Sequence, residues 1–155
     1  SKKEGIKLIT LKEALQSKVQ IQLCNPSPSS WGQGGFHNYW LNDSNAWIVN
    51  QWSKAGREMV SICSNGIQQE SDIKIIKQAG RELLLCQSSD WSFILKAGTT
   101  TELAKERINL HITRFWMLIN SIKDKKVIKN TVLEEIEKED CIFPLISPID
   151  WKKKI

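Results

Sequence analysis

Apolar residues recur every three or four positions along three long stretches of the chain, which is the period of one face of an α-helix. In the first stretch, residues 45–64, the repeat is formed by Ile48, Trp52, Ala55, Met59 and Ile62. The second stretch follows Ser71 and breaks at residues 87–90, and the third covers residues 100–122. We therefore predict three main helices, the second of which begins with Ser71 as its N-cap.

Helix starts are also indicated by threonine followed three residues later by glutamate, the pattern of a capping box. The pattern occurs at Thr10 and Glu13, at Thr99 and Glu102, and at Thr131 and Glu134. The middle pair is expected to open the third main helix. The other two pairs predict short helices that run to about residues 16 and 138, and a further turn or two is predicted over residues 91–96.

Residues 20–43 show no helical period. Two prolines and three glycines interrupt this segment, and four aromatic residues stand between them: Trp31, Phe36, Tyr39 and Trp40. A loop of this length without regular structure is uncommon in a small domain and is often functional. Its glycines do not form a phosphate-binding loop, because the closing Lys-Ser/Thr pair is missing.

Composition limits the class of protein. The chain has 155 residues, of which 41% are hydrophobic and 25% are charged, as in one ordinary globular domain. No apolar run approaches the roughly 20 residues of a membrane-spanning helix. The fold class predicted is therefore all-α: a helical bundle of three main helices plus short ones, with a long aromatic Gly/Pro-rich loop, as a single domain over residues 1–155.

Charge and cysteine spacing exclude several kinds of partner. The net charge is +5, but the lysines concentrate near residues 123–126 and 151–154, which favours a solvated surface over a nucleic-acid site. The four cysteines lie too far apart for a zinc or redox motif. We expect reduced cysteines, a cytoplasmic location, no cofactor, no metal, no nucleic acid and no membrane.

Two segments, residues 28–42 and 81–91, place tryptophan and polar groups at breaks in regular structure. Seven tryptophans against one tyrosine is an unusual ratio, and an aromatic face beside a carboxylate or amide is how sugar sites are commonly built. The alternative is structural: Trp31, Trp40 and Trp91 would fill the gap between the loop and the bundle. Trp52 and Trp116, at helical positions, are expected to be core residues.

A complete catalytic site is not expected in this chain. A retaining glycosidase needs two carboxylates about 5–5.5 Å apart. Asp90 has no evident partner, and it could instead cap the short helix that follows it. Glu82 is expected to pair with Arg81 or within the bundle. His111 lies in mid-helix and is expected to be structural.

Together with the strings given below, the two segments at residues 28–42 and 81–91 resemble a known family. The chain is similar to the C-terminal helical domain of glycoside hydrolase family 57, and most to that of its 1,4-α-glucan branching enzymes. The similarity extends over about residues 6–150 and rests on these strings: Ser29-Ser30-Trp31-Gly32, Trp40-Leu41-Asn42, Trp47-Ile48, Arg81-Glu82-Leu83-Leu84, Gln87-Ser88-Ser89-Asp90-Trp91, Phe93-Ile94, Phe143-Pro144 and Ile149-Asp150.

The resemblance implies a larger parent enzyme. In that family an N-terminal barrel carries the catalytic carboxylates, and the helical domain packs against the barrel and completes the substrate cleft. The chain is therefore expected to be a fragment that lacks the barrel and is not catalytic alone. An α-amylase or 4-α-glucanotransferase of the same family, or a stand-alone glucan-binding module, remain alternatives.

The resemblance also assigns site residues. It implies that Trp31, Trp40, Asp90 and Thr99 contact an α-glucan, although many members of the family carry glutamine where this chain has Thr99. Gly80 stands where alanine is frequent, and glycine is expected to cost the helix about 1 kcal/mol relative to alanine.

Overall fold

A computed structural model describes residues 5–17, 20, 22–66 and 69–153. Regular structure in these residues is entirely helical, which confirms the all-α prediction. The α-helices are α1 (Leu11–Gln16), α2 (Ala46–Ser64), α3 (Glu70–Cys86), α4 (Ser89–Ala97), α5 (Thr101–Lys123) and α6 (Asn130–Glu139). Two short 3-10 helices cover Gln33–Gly35 and Pro148–Trp151. The three predicted main helices are α2, α3 and α5.

The hydrophobic core forms where α3 packs along α5, with α2 and α4 against the same pair. The apolar positions that predicted α2 account for this packing, since Ile48, Ala55 and Met59 are fully buried. The two expected core tryptophans, Trp52 and Trp116, are only half-buried and pack against the core from its edge.

Capping boxes were predicted correctly at one of three positions. At α1 the backbone N–H of Glu13 donates to Oγ1 of Thr10 (3.2 Å), and Oε2 of Glu13 accepts from the Thr10 backbone (2.7 Å). The box at Thr99 is wrong, because α5 is preceded instead by Thr100, which has a left-handed backbone (φ 46°) and makes no capping bond through its side chain.

Two further predicted caps lie inside their helices. Helix α3 begins one residue before Ser71, with Gln69 at the N-cap, and α6 begins after Lys129 rather than after Thr131. Each helix therefore begins one residue before the hydroxyl residue that was predicted to cap it. The burial of apolar residues stabilises the helix as a whole, and its first turn can include a serine or threonine. The local motif therefore marks a helix start to within about two residues.

The C-terminal segment, residues 140–153, folds back over α3. Residues 141–143 have no regular structure, but this segment is not extended: Phe143 has a left-handed backbone (φ 56°), and the chain turns at residues 144–145 before the 3-10 helix Pro148–Trp151. The indole of Trp151 lies against Gly80, where an added Cβ would be 2.5 Å from Cη2 of Trp151. Gly80 is therefore more than a weak helix former, because its missing side chain provides the space for Trp151.

No helix in the described ranges is both long and apolar enough to cross a lipid bilayer.

The cysteines divide into two buried and two exposed thiols, all of them free. Burial raises the pKa of Cys86 to about 11, against the opposing effect of the Trp52 indole N–H that donates to its sulfur. Burial likewise raises the pKa of Cys63. Because the thiolate is the reactive form, these two cysteines should be inert in the folded chain.

Brief alkylation of the native protein at pH 8 is expected to label Cys24 and Cys141 and to leave Cys63 and Cys86 unlabelled. The same reaction in denaturant should label all four. Peptide mass spectrometry measures both results. Native labelling of Cys86 at the rate of Cys141 would contradict the prediction.

Candidate functional site

The aromatic loop is ordered by a compact turn between residues 30 and 36. The backbone N–H of Ser30 donates to the Gly35 carbonyl (2.8 Å), and that of Gly35 donates to the Gly32 carbonyl (2.9 Å). The Ser30 hydroxyl donates to the Phe36 carbonyl and accepts from the Gly32 N–H (3.1 Å). Gly34 and Gly35 have left-handed backbones, with φ of 70° and 77°, which glycine adopts without strain. The sequence therefore encodes a specific turn here.

Gly32 allows an aromatic ring to lie on the backbone of this turn. A Cβ atom on Gly32 would be 2.8 Å from the Phe36 carbonyl oxygen and 3.0 Å from Cζ3 of Trp40. Any larger residue would therefore displace the turn or the Trp40 ring.

Four aromatic rings form a cluster, here called the aromatic cluster: Trp31, Tyr39 and Trp40 from the loop and Phe93 from α4. The rings of Trp31 and Trp40 meet edge to face, with centroids 5.1 Å apart and an interplanar angle of 83°. Tyr39 stacks on Phe93 at 4.5 Å and 16°. Phe93 also lies 6.0 Å from Trp31 and 6.4 Å from Trp40. The loop is thus attached to α4 through ring contacts.

Exposure distinguishes the tryptophans that were considered together. Trp31 is 80% exposed, so its ring fills no gap in this chain and is open to stacking. Trp40 is half-buried under it. Trp91 packs against the core, and its indole N–H donates to the Leu85 carbonyl (2.8 Å), which gives it a structural role within the bundle.

Asp90 is the second residue of α4 and is exposed. It is not the N-cap, which is Ser88, and its Oδ2 accepts from the Ser88 hydroxyl at 3.0 Å. The helix dipole favours a carboxylate in this first turn. Phe93 follows three residues later, on the same side of α4, so Asp90 stands beside the aromatic cluster.

Thr99 is exposed and lies beyond the opposite end of α4, after the C-cap Gly98. The nine residues of α4 span roughly 13 Å at 1.5 Å per residue. The fold therefore brings Trp31 and Trp40 into contact and places Asp90 about one helical turn from Phe93 of the aromatic cluster, whereas Thr99 lies a helix length away from Asp90.

Three residues of this region were not predicted to belong to the site: Phe93 and Tyr39, which were named from the sequence only in other connections, and Asn45. Phe93 could have been suspected from its position three residues after Asp90 on a short helix. Asn45 has no local signal, because its partners include the carbonyl of Ser92, far along the chain.

A separate groove of 880 Å³ runs along α2. It is lined by Val49, Trp52, Ser53, Gly56, Arg57, Val60, Ser61, Ser64, Asn65, Gln87 and Lys153. None of the four predicted glucan-contacting residues lines it. The aromatic cluster is the better candidate, because it combines the exposed ring of Trp31 with the carboxylate of Asp90, which is three residues before Phe93 on α4.

The buried Glu82 and His111 and the partly buried Asp140 form a cluster whose ligand atoms lie within 4.8 Å of one another. Nδ1 of His111 is 2.8 Å from Oε2 of Glu82, and Arg114 binds Asp140 at 2.7 Å. Burial alone would lower the pKa of Arg114, but Glu139, Glu82 and Asp140 raise it. A permanent guanidinium cation on Asp140 opposes a metal ion, so the cluster fits an ion-pair network between helices.

This network bears on the predictions made for His111 and Glu82. His111 is structural, as predicted. Glu82 pairs within the bundle, with His111 and with Nε2 of Gln78 (2.8 Å), rather than with Arg81, whose Nε donates to the Ile142 carbonyl (2.8 Å). Since Glu82 is completely buried and engaged, it is not available as a second carboxylate for Asp90.

Two comparisons of sequence find relatives. Residues 51–151 match the family model described as "1,4-alpha-glucan branching enzyme, C-terminal". The chain is also 32% identical over 147 residues to a 1,4-alpha-glucan branching enzyme of Thermococcus kodakarensis, covering 90% of this chain and 21% of the relative. The chain thus spans about a fifth of the length of that relative. The family match includes Asp90 and Thr99 but begins after the aromatic loop.

Solved structures give the same result over nearly the whole chain. The branching enzyme of Pyrococcus horikoshii matches with a TM-score of 0.84 at 27% identity, covering 98% of this chain and 30% of that one. The T. kodakaraensis branching enzyme, crystallised in complex with glucose and additives, matches with a TM-score of 0.84 at 27% identity, covering 97% of this chain and 28% of that one. An α-amylase of Thermotoga maritima matches with a TM-score of 0.77 at 28% identity, covering 99% of this chain and 28% of that one.

Proposed function

Because the chain belongs to the family of C-terminal domains of 1,4-alpha-glucan branching enzymes, we propose that it completes the glucan-binding cleft of such an enzyme. The observation that carries the proposal is the exposed Trp31 ring, held edge to face by Trp40 at 5.1 Å. A flat, fixed ring offers a stacking surface to the C–H face of a glucose unit, and a fixed ring loses little conformational entropy on binding.

Each predicted residue has a distinct role in this proposal. Trp31 and Trp40 stack on glucose rings, and the carboxylate of Asp90 accepts hydrogen bonds from glucose hydroxyls beside them. Thr99, at the far end of α4, contacts a glucose unit further along the chain of the glucan. A linear α-glucan that follows α4 could reach both ends, because the helix spans roughly 13 Å.

Catalysis belongs to another part of the protein in this proposal. An N-terminal barrel domain supplies the catalytic carboxylates, cleaves an α-1,4 bond with retention and transfers the chain to a glucose 6-hydroxyl, as in the synthesis of glycogen. The engagement of Glu82 in the core supports this division, because it leaves Asp90 without a carboxylate partner in α3. A closed cleft favours transfer over hydrolysis, since it excludes water from the intermediate.

A cytoplasmic location and a surface that binds no nucleic acid are part of the same proposal. Four free cysteines agree with a reducing cytoplasm. Lys123 and Lys126 are paired with Glu58 (2.8 Å) and Asp124 (3.2 Å), which supports a solvated surface rather than a nucleic-acid site. Lys154, in the other basic stretch, lies outside the described residues.

An α-amylase activity is the second candidate, because the T. maritima α-amylase matches 99% of this chain. The full-length protein incubated with amylose distinguishes the two activities. A branching enzyme creates α-1,6 bonds with few new reducing ends, whereas an amylase creates reducing ends without branches.

Titration of the chain with maltoheptaose is expected to shift the indole N–H resonance of Trp31 in a ¹⁵N-correlated NMR spectrum. Trp31→Ala should weaken binding about fivefold, if stacking on sugar contributes about 1 kcal/mol, the low end of base stacking. Phe143→Ala removes an exposed aromatic ring outside the aromatic cluster and is the matched control. Shifts confined to Trp52, in the groove on α2, would argue against the proposed site.

A further inference from the structure

Asn45 is fully buried although asparagine is usually exposed in proteins. It precedes α2 and sits beneath the aromatic loop. A buried amide is tolerated only when its donors and acceptor are paired, so its contacts identify what it holds together.

The side chain of Asn45 is fully paired. Its Oδ1 accepts from the backbone N–H of Asn42 (3.0 Å), and its Nδ2 donates to the carbonyls of Tyr39 (2.9 Å) and Ser92 (3.2 Å). Tyr39 belongs to the loop and Ser92 to α4. One amide group therefore joins the two elements that form the aromatic cluster.

The two carbonyls that Asn45 binds are next to the rings of the cluster. Tyr39 itself stacks on Phe93, the neighbour of Ser92, at 4.5 Å, and Trp40, the neighbour of Tyr39, supports Trp31. Holding residues 39 and 92 at one amide therefore determines how the loop rings face α4. The ring contacts alone permit sliding, because aromatic pairs have several arrangements of similar energy.

We propose that Asn45 is the positioning residue of the aromatic cluster. It touches no ligand, since it is completely buried, and it acts by fixing the Trp31 and Trp40 rings relative to Asp90. Its role in glucan binding rests on the proposed function, whereas its role in ring geometry does not.

Asn45→Asp tests the proposal with a side chain of the same shape. The change replaces the donor Nδ2 by an oxygen that faces two carbonyl oxygens, so both contacts are lost. We expect the circular-dichroism couplet of the paired Trp31 and Trp40 indoles to fall by more than half. The maltoheptaose dissociation constant should rise about tenfold. Asn50→Asp, the same change at an exposed position on α2, should alter neither.

The readouts separate positioning from stability. The couplet and the maltoheptaose dissociation constant are both measured well below the melting temperature. Under that condition, a substitution that affects stability alone would leave both of them unchanged. A wild-type couplet and affinity in a folded Asn45→Asp variant would overturn the proposal. If that variant does not fold, Asn45→Ala, which introduces no charge, is measured in the same way and a wild-type couplet there overturns it equally. A collapsed couplet together with no maltoheptaose binding by the wild type would uphold positioning and reject the glucan function.

Discussion

Replacing His111 with leucine is expected to lower the free energy of unfolding by about 3–5 kcal/mol. Nδ1 of the imidazole is the hydrogen-bonding partner of the Glu82 carboxyl group, which is 0% exposed, at 2.8 Å. Without it, the carboxylate keeps its bond to Gln78 but faces leucine on its other oxygen. A buried carboxyl group that loses its partner cannot recover hydration, so most of the cost is that of a buried polar group left without compensation.

The size of this effect separates the buried pair from ordinary surface pairs. Glu137→Gln breaks the more exposed pair with Lys74 (3.0 Å) and should cost only about 0–1 kcal/mol. Removing both buried groups, in Glu82→Leu with His111→Leu, should cost less than removing His111 alone, because no unpaired charge remains. Urea denaturation at pH 7 measures all three. A His111→Leu variant as stable as Glu137→Gln would show that Glu82 is compensated elsewhere.

Gly80→Ala is expected to destabilise the chain by about 1 kcal/mol, although alanine is the better helix former by a similar amount. The new Cβ would stand 2.5 Å from Cη2 and 3.0 Å from Cζ3 of Trp151, and 3.1 Å from Cδ1 of Ile146. Overpacking of this kind costs about 1–3 kcal/mol, which exceeds the gain in helix propensity. The C-terminal segment would have to move off α3 to relieve the contact.

The sign of the Gly80 effect should reverse when the ring is removed. In a Trp151→Ala background, Gly80→Ala should stabilise by up to about 1 kcal/mol, since the two contacts with the indole are gone and only the contact with Cδ1 of Ile146 (3.1 Å) still opposes the gain in helix propensity. The double-mutant cycle should therefore give a coupling of about 2 kcal/mol between the two positions. Stabilisation by Gly80→Ala in the presence of Trp151 would mean that the tail adjusts at no cost.

Contacts within the bundle and contacts within the aromatic cluster have different consequences for the proposed cleft. The network around Glu82 and the contact of Trp151 with Gly80 stabilise the bundle and its C-terminal segment. The aromatic cluster instead depends on a few groups at one side: the turn at Gly32, the amide of Asn45 and the ring of Phe93. Variants of the first set should change stability with little change in glucan affinity, and variants of the second set should change affinity first.

The sequence by itself determined the helices and the chemistry of the loop. Apolar spacing located α2, α3 and α5, because a helix must bury one face and the period of that face is local. The capping box at Thr10 and Glu13 was predicted for the same reason: all its atoms lie within one turn. For Trp31 the sequence offered two roles, a contact with glucan and a structural role between the loop and the bundle, and the exposed ring agrees with the first.

Only the tertiary structure decided which residues meet. The capping boxes at Thr99 and Thr131 failed because the packing of whole helices, not one hydroxyl, sets where they begin. Asn45 reaches Ser92 across 47 residues, and Glu82 reaches His111 across 29. Such pairs leave no periodic signal, since each depends on how separate helices are oriented. Gly80 shows this most simply: alone it weakens a helix, and only the folded tail makes it the residue that admits Trp151.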